Sequence, residues 1–389
     1  MDPRYGNRMR ALIFGTYDSS VHPRIGIVAE GLRDHGFDVT ECNEPLGLNT
    51  AARVRLLAQP WRLPVLLGRL AVLWAKLAWR ASRTPAPDVI VVGYLGHFDV
   101  HLARLLFRRT PIVLDHMVSA SGTGQDRGLD GGPRKALLRI IDAGALRNAD
   151  IVMVDTQEHL ESLPERYQGR AVVVPVGAPS DWFRAAAPAD GVSSKGTADG
   201  PLRVVFYGLF TPLQGTPVIG EALGMLSSDD ANIEVTMIGT GQDYEVARAA
   251  AGKGNSNGDS NGDSNGRVHW IDWVPPDELP ALVGGHDVCL GIFGTGDKAR
   301  RVVPNKVYQG AAVGCAIVTS DTPPQRRVLG DAAVLVPPGD AKSLADALRE
   351  LAANPGEYKR RARDLAEQSF TPRNVAAPLV AALTASLGK

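Results

Sequence analysis

Cysteine is scarce in this chain, with three in 389 residues. Cys42, Cys289 and Cys315 lie far apart, without a CxxC pair or the spacing of a metal site, so they argue against a disulfide scaffold and a zinc ribbon alike. They are expected to be buried thiols in a reducing compartment. Net charge is also missing. The 42 Lys and Arg balance the 42 Asp and Glu, which removes a global electrostatic case for nucleic acid or any other polyanion. The N-terminal MDPRYGNRMR runs into ALIFG, too short an apolar stretch for a secretory signal. A cytoplasmic protein is the expectation.

Familiar catalytic signatures are lacking too. There is no HExxH and no Ser-His-Asp order, and no carboxylate pair can be placed for glycoside hydrolysis. GTGQDY supplies Gly239 and Gly241 but has Tyr244 where a dinucleotide fingerprint needs its third glycine, so a nicotinamide cofactor is not supported. The segment does mark a tight turn after the apolar run IEVTMI, at the strand end where open α/β sheets bind ligands. GTY, from Gly15 to Tyr17, does the same after the first strand.

What is present is a globular composition, 44% hydrophobic and 22% charged, in a chain long enough for two cores. Short β-branched runs alternate with helical patterns, as in a parallel sheet with crossover helices. RALIFG, DVTECN, DVIVVGY, PIVLDH, DIVMVDT and AVVVPVG come first; LRVVFYG, IEVTMIGTG, RVHWIDWV, DVCLGIFG, CAIVTSD and AAVLVPPG follow. Most are continuously apolar, as strands covered on both faces should be. The expected layout is an α/β domain over 1–183, a linker over 184–202, a second α/β domain over 203–370, and a helix over 371–389 crossing back to the first. The NGDS repeat within 252–266 reads as a surface loop.

Two charged segments stand out. Residues 51–83 hold seven Lys or Arg and no acid, with Trp61, Trp74 and Trp79 among leucines. Arg62, Arg69, Lys76, Arg80 and Arg83 would form one basic stripe on a helix. Such a helix either lies on an anionic membrane surface or packs in the core with its stripe in water. It cannot span a bilayer, since its uncharged stretches fall far short of about 20 residues. The second segment is DKARRVVPNKVYQGAAVGCAIVTSD, with four cations in its first ten residues before it turns apolar. Pro304 and Asn305 fit a helix start, and a helix N-terminus with neighbouring lysines is an anion site. Lys298 and Lys306 are the candidate phosphate contacts.

The order of VVVPVGAPSDWF, FYGLFTPLQGTPVIGEAL and VPNKVYQGAAVGCAIVTSD resembles the family 4 retaining glycosyltransferases, from Arg10 to Leu387. The resemblance implies the GT-B fold, two Rossmann-like doubly wound domains facing a central cleft. VPVGAPSDWF corresponds to the family's PNGVD turn followed by Phe. Pro304, Lys306 and Gly314 match the P-S-K, helix and glycine pattern, and Gln309 falls where the family glutamate grips the ribose. The chain departs from the pattern at Arg301, where the first of the paired glutamates is expected. It departs again at Leu209 and Gln214, where Arg and Lys usually clamp the diphosphate. It resembles a variant branch reading PLxG in the first loop and KAxRVxPNK in the later one.

The resemblance implies transfer of a hexosyl or amino-hexosyl unit, with retention, from a nucleoside diphosphate sugar to a hydroxyl of a glycan, glycolipid precursor or natural product. UDP is favoured over GDP. No metal and no cofactor beyond the sugar nucleotide is implied, nor any nucleic-acid partner. Lys298, Lys306, Asn305 and Gly15 are assigned to the donor diphosphate, and Gln309, Gly239 and Trp273 to the ribose and base. His116 occupies the place of a family histidine close to the transferred sugar, with Asp115 beside it. His97, Asp126 and Arg127 are assigned to the acceptor side. Two alternatives stay open: a non-catalytic GT-B partner that binds a sugar nucleotide, and a sugar-nucleotide epimerase.

Overall fold

The computed structural model describes residues 8–18, 23–47, 63–94, 96–117, 133–186, 200–228, 231–252 and 267–387. Asp126, Arg127, the first part of the basic segment and the NGDS repeat lie outside them. The chain divides into two compact units, one of residues 1–175 with 372–389 and one of residues 176–371.

The first unit is built on β1 (Arg10–Gly15), β2 (Asp38–Asn43), β3 (Val89–Val92), β4 (Ile112–Asp115), β5 (Ile151–Val154) and β6 (Ala171–Val173). They form one sheet in the order β2-β1-β3-β4-β5-β6, with every pairing parallel. In register, Ile13 stands opposite Glu41 on one side and Val91 on the other. All residues of β3, β4 and β5 are buried, which is why they read as unbroken apolar runs. The edge strand β2 is largely open, and its DVTECN carries the polar residues that an edge tolerates.

The second unit repeats the plan with β7 (Leu202–Tyr207), β8 (Ile233–Ile238), β9 (Val268–Ile271), β10 (Val288–Leu290), β11 (Ala316–Ser320) and β12 (Ala333–Val336). Their order is β12-β11-β10-β7-β8-β9, again all parallel. One core lies between the sheet and the helices Thr216–Ser228, Tyr244–Gly252 and Ala341–Ala353, with Phe206, Phe210, Leu290, Phe293 and Leu348 buried in it. Each such side chain contributes about 1.5–3 kcal/mol by leaving water.

The division falls at 175/176, earlier than the sequence placed it. Trp182, on the helix Ser180–Ala185, is buried and stacks on Tyr207 with ring centroids 5.8 Å apart. The segment therefore folds with the second sheet, although its Pro, Gly and Ala neighbours read as the end of the first domain. The last helix, Pro372–Leu387, belongs to the first unit, where Val375, Leu379 and Leu383 join Ile25, Val28 and Leu32 in one core.

The basic segment forms the helix Leu63–Ala81. It packs by a narrow seam of Leu70, Leu77 and Ala81, and Trp74 donates from Nε1 to Asp99 Oδ1 at 2.9 Å. Its outer stripe is not simply charged: Val65, Val72 and Trp79 are 75%, 58% and 59% exposed. All three cysteines are buried free thiols.

Candidate functional site

Both sheets have a point at which strand order reverses, β1/β3 in the first and β7/β10 in the second. In open α/β sheets the crevice beyond the strand ends at this point is where ligands bind. Each unit places a buried polar group near it.

In the second unit that group is Lys306, in the first turn of the helix Asn305–Ala312. The helix follows Pro304, whose extended backbone and fixed φ set its start. Its small-residue run is explained by close packing, since a Cβ on Gly310 would come within 2.6 Å of Cys289 Cβ. That packing carries Lys306 back over the sheet. Its Nζ lies 3.7 Å from the Phe206 ring centre and 3.2 Å from where a Cβ on Gly208 would stand, just past β7. It donates to Gln214 Oε1 at 2.6 Å, and among the described residues no carboxylate pairs with it. Burial pulls its pKa down to about 7. A lysine buried among neutral partners is eased by losing its proton or by the approach of an anion.

The other assigned residues of this unit fall differently. Asn305 opens the same helix, half-buried, and Lys298 is half-buried before the short turn Ala299–Arg301. Gln309 is buried and accepts from the Tyr207 hydroxyl at 2.9 Å, so its carbonyl oxygen is already engaged. Gly239 ends β8 with φ +124°, and a Cβ there would strike Gly208 O at 2.0 Å; only glycine allows the two loops to touch. Trp273 follows β9 and is 70% exposed. Of the two positions where cations were expected, Leu209 is exposed and Gln214 holds Lys306. The hollow of about 720 Å³ beside β9, lined by Thr236, His269, Trp270 and His286, contains none of the assigned residues.

In the first unit, Gly15 closes β1, and the next residue, Thr16, donates its N–H and hydroxyl to Asp99 Oδ2 at 2.7 and 2.8 Å. Asp115 and His116 end β4 in a buried cluster. Arg24 Nε donates to Asp115 Oδ1 at 3.0 Å, while among the described residues Asp115 Oδ2 and both terminal nitrogens of Arg24 have no hydrogen-bond partner. Burial pushes the Asp115 carboxyl up, against the pull of Arg24. The rings of His116 and His97 stand 5.3 Å apart. Asp142, from the helix Pro133–Asn148, lies 3.2 Å from His97 Nε2 and 3.9 Å from His116 Nε2. Burial and the neighbouring His97 hold the His116 pKa down at about 4, so its ring is neutral near pH 7.

The structure thus brings His97, Asp115 and His116 together in one unit, and Lys306, Asn305 and Gln309 on one helix in the other. Arg24 and Asp142 were missed. Both had a signal, since each is a charged residue in register with the apolar face of its helix. Arg24 aligns with Val28 and Leu32, and Asp142 with Leu138, Ala145 and Leu146.

Residues 201–354 match the family model described as Glycosyl transferases group 1. That region runs from just before β7 through the helix Ala341–Ala353 and includes Lys306. A search of curated protein sequences gives no match. Among solved structures, the chain is similar to a sucrose-phosphate synthase from Thermosynechococcus elongatus, with TM-score 0.68 at 15% identity over 98% of this chain and 99% of that one. It is similar to Anabaena HepE in complex with UDP-glucose, with TM-score 0.66 at 15% identity over 97% and 100% of the two chains. An α,α-trehalose-phosphate synthase (UDP-forming) from Burkholderia vietnamiensis gives TM-score 0.65 at 14% identity over 98% and 99%. The fold is that of the GT-B glycosyltransferases. At these identities the likeness carries the fold alone, and the site must be argued from this chain's residues.

Proposed function

We propose that the protein is a metal-independent, retaining glycosyltransferase that takes a hexosyl or amino-hexosyl unit from a UDP-sugar and passes it to a hydroxyl acceptor. The observation that carries this reading is Lys306, a buried cation without a carboxylate at the β7/β10 switch point, inside the region matching the glycosyltransferase model. The complexes of HepE with UDP and UDP-glucose favour a uridine nucleotide.

In this reading the donor diphosphate approaches Lys306 and the N-terminus of its helix, where the ammonium and backbone N–H groups meet the charge that grows on the leaving group. Lys298 and Asn305 add contacts at the same helix start. The leaving oxygen takes the acceptor's proton, so the protein's task is positioning and charge stabilisation and not nucleophilic attack. Gln309 turns its amide toward the ribose while Tyr207 holds its carbonyl oxygen, and Gly239 and Trp273 frame the nucleotide. His116, with His97 and Asp115, supplies the polar surface for the sugar and acceptor hydroxyls.

A cytoplasmic enzyme held at an anionic lipid surface is part of the proposal. No described helix is long and apolar enough to cross a membrane. The helix Leu63–Ala81 has exposed Val65, Val72 and Trp79 between Arg69, Lys76 and Arg83, with no acidic residue. Apolar insertion and attraction to anionic headgroups would act together there, at about 1 kcal/mol per cation. Flotation with phosphatidylglycerol vesicles should carry the protein upward, and neutral vesicles should not. Equal behaviour in both would remove the membrane from the account.

The rival is a non-catalytic GT-B partner that binds a sugar nucleotide, motivated by Leu209 and Gln214 where diphosphate-clamping cations were expected. Incubation with a panel of nucleotide sugars, following release of nucleoside diphosphate, separates the two. Release with one donor supports the transferase; nucleotide binding with no release from any donor supports the partner.

A further inference from the structure

The buried cluster of the first unit has a geometry that goes beyond the hydroxyl contacts proposed for His97 and His116. His97 precedes the helix Asp99–Leu106, His116 follows β4, and Asp142 lies within the helix Pro133–Asn148. All three are buried. One ligand-type atom from each lies within 4.8 Å of the other two, and Asp142 Oδ1 stands 3.2 Å from one Nε2 and 3.9 Å from the other. Neither Nε2 is aligned for a hydrogen bond, and both are sealed from solvent.

Two buried imidazole nitrogens without partners are costly in a folded chain, at about 1–3 kcal/mol each. A proton shared with Asp142 would satisfy one of them. An ion at the centre satisfies both. Bonds of about 2.0–2.2 Å to a tetrahedral ion put neighbouring ligands some 3.3–3.6 Å apart. The two carboxylate distances straddle that range, and the two histidines, whose ligand atoms lie within 4.8 Å of each other, would close toward it around an ion.

We propose that His97, His116 and Asp142 form a binding site for a divalent transition ion of the zinc type. Two nitrogens and one carboxylate oxygen suit zinc or cobalt and disfavour magnesium and calcium, which take oxygen ligands. Three protein ligands leave a fourth position for water or a ligand hydroxyl. The site ties the end of β4 to two helices of the first unit, and it stands whether or not the chain transfers sugar.

The test uses the full chain, freed of metal with a chelator and desalted, then titrated with Co²⁺ and separately with Zn²⁺. The expected result is one equivalent bound, with visible d–d bands of four- or five-coordinate cobalt and no sulfur charge-transfer band, since the thiols lie elsewhere. Zinc should displace the cobalt, and a tenfold excess of Mg²⁺ should not. Asp142→Asn and His97→Ala should each weaken Co²⁺ binding more than about 100-fold, beyond the 10–100-fold typical of groups that only support a ligand. The spectrum of the unsubstituted protein identifies the ligand type even if a variant fails to fold. Absence of a stoichiometric ion, a sulfur-ligand spectrum, or binding that persists in both folded variants would overturn the site.

Discussion

At the end of β4, charge of both signs is buried together: Arg24 pairs with Asp115 at 3.0 Å, and Asp142 sits between two histidines. Beyond β7, one ammonium is buried with, among the described residues, an amide oxygen and aromatic faces around it. In the first arrangement the buried guanidinium has a counter-charge beside it. The second becomes comfortable only when it loses a proton or gains an anion. Sheets of the same plan therefore bury different groups, one an ion pair beside two histidines and a carboxylate, the other a lysine held by an amide oxygen.

The sharpest way to break this contrast is to remove one charge from each side. Asp115→Asn leaves Arg24 buried without its counter-charge and should destabilise the protein by about 3–5 kcal/mol, read from the urea midpoint. Lys306→Met should do the opposite to stability, leaving it unchanged or slightly raised, because an unpaired buried cation is removed. The same variant should lose about 1.5–3 kcal/mol of UDP affinity by calorimetry, roughly 10- to 150-fold. Similar stability losses in both variants would mean that the two sites do not differ as described.

A milder probe is pH. The Lys306 pKa falls from 10.5 to about 7 on folding, so between these values the unfolded chain holds the extra proton. Its contribution to stability is least favourable below pH 7 and rises toward 10.5. UDP binding should run the other way, weakening by up to about tenfold per unit above pH 7, because the diphosphate favours the charged ammonium. Both trends should vanish in Lys306→Met. Smallest of all, Trp79→Ala should weaken binding to anionic vesicles several-fold with little change in stability, since that ring is mostly in water.

The twelve strands were legible because buried parallel strands must be apolar on both faces, and no other element writes short β-branched runs between helical patterns. The helix start that carries Lys306 was legible too, because it is local: Pro304, Asn305 and the cation are three consecutive residues. What was lost is what depends on distant segments meeting. Arg24 and Asp115 are 91 residues apart, and neither neighbourhood announces the other. Gln309 was placed by its position on the helix, but the Tyr207 hydroxyl that engages it comes from a strand 102 residues earlier. The fold boundary was misjudged for the same reason, because the stacking of Trp182 on Tyr207 outweighs the composition of the residues around it.

The measurement that bears most directly on the central claim is release of nucleoside diphosphate from a panel of UDP- and GDP-sugars, with unsubstituted protein and Lys306→Met compared at equal concentration. The account predicts release from at least one UDP-sugar by the unsubstituted protein, and its loss in the variant while the fold is intact. Release that is indifferent to Lys306, or none from any donor, would contradict it.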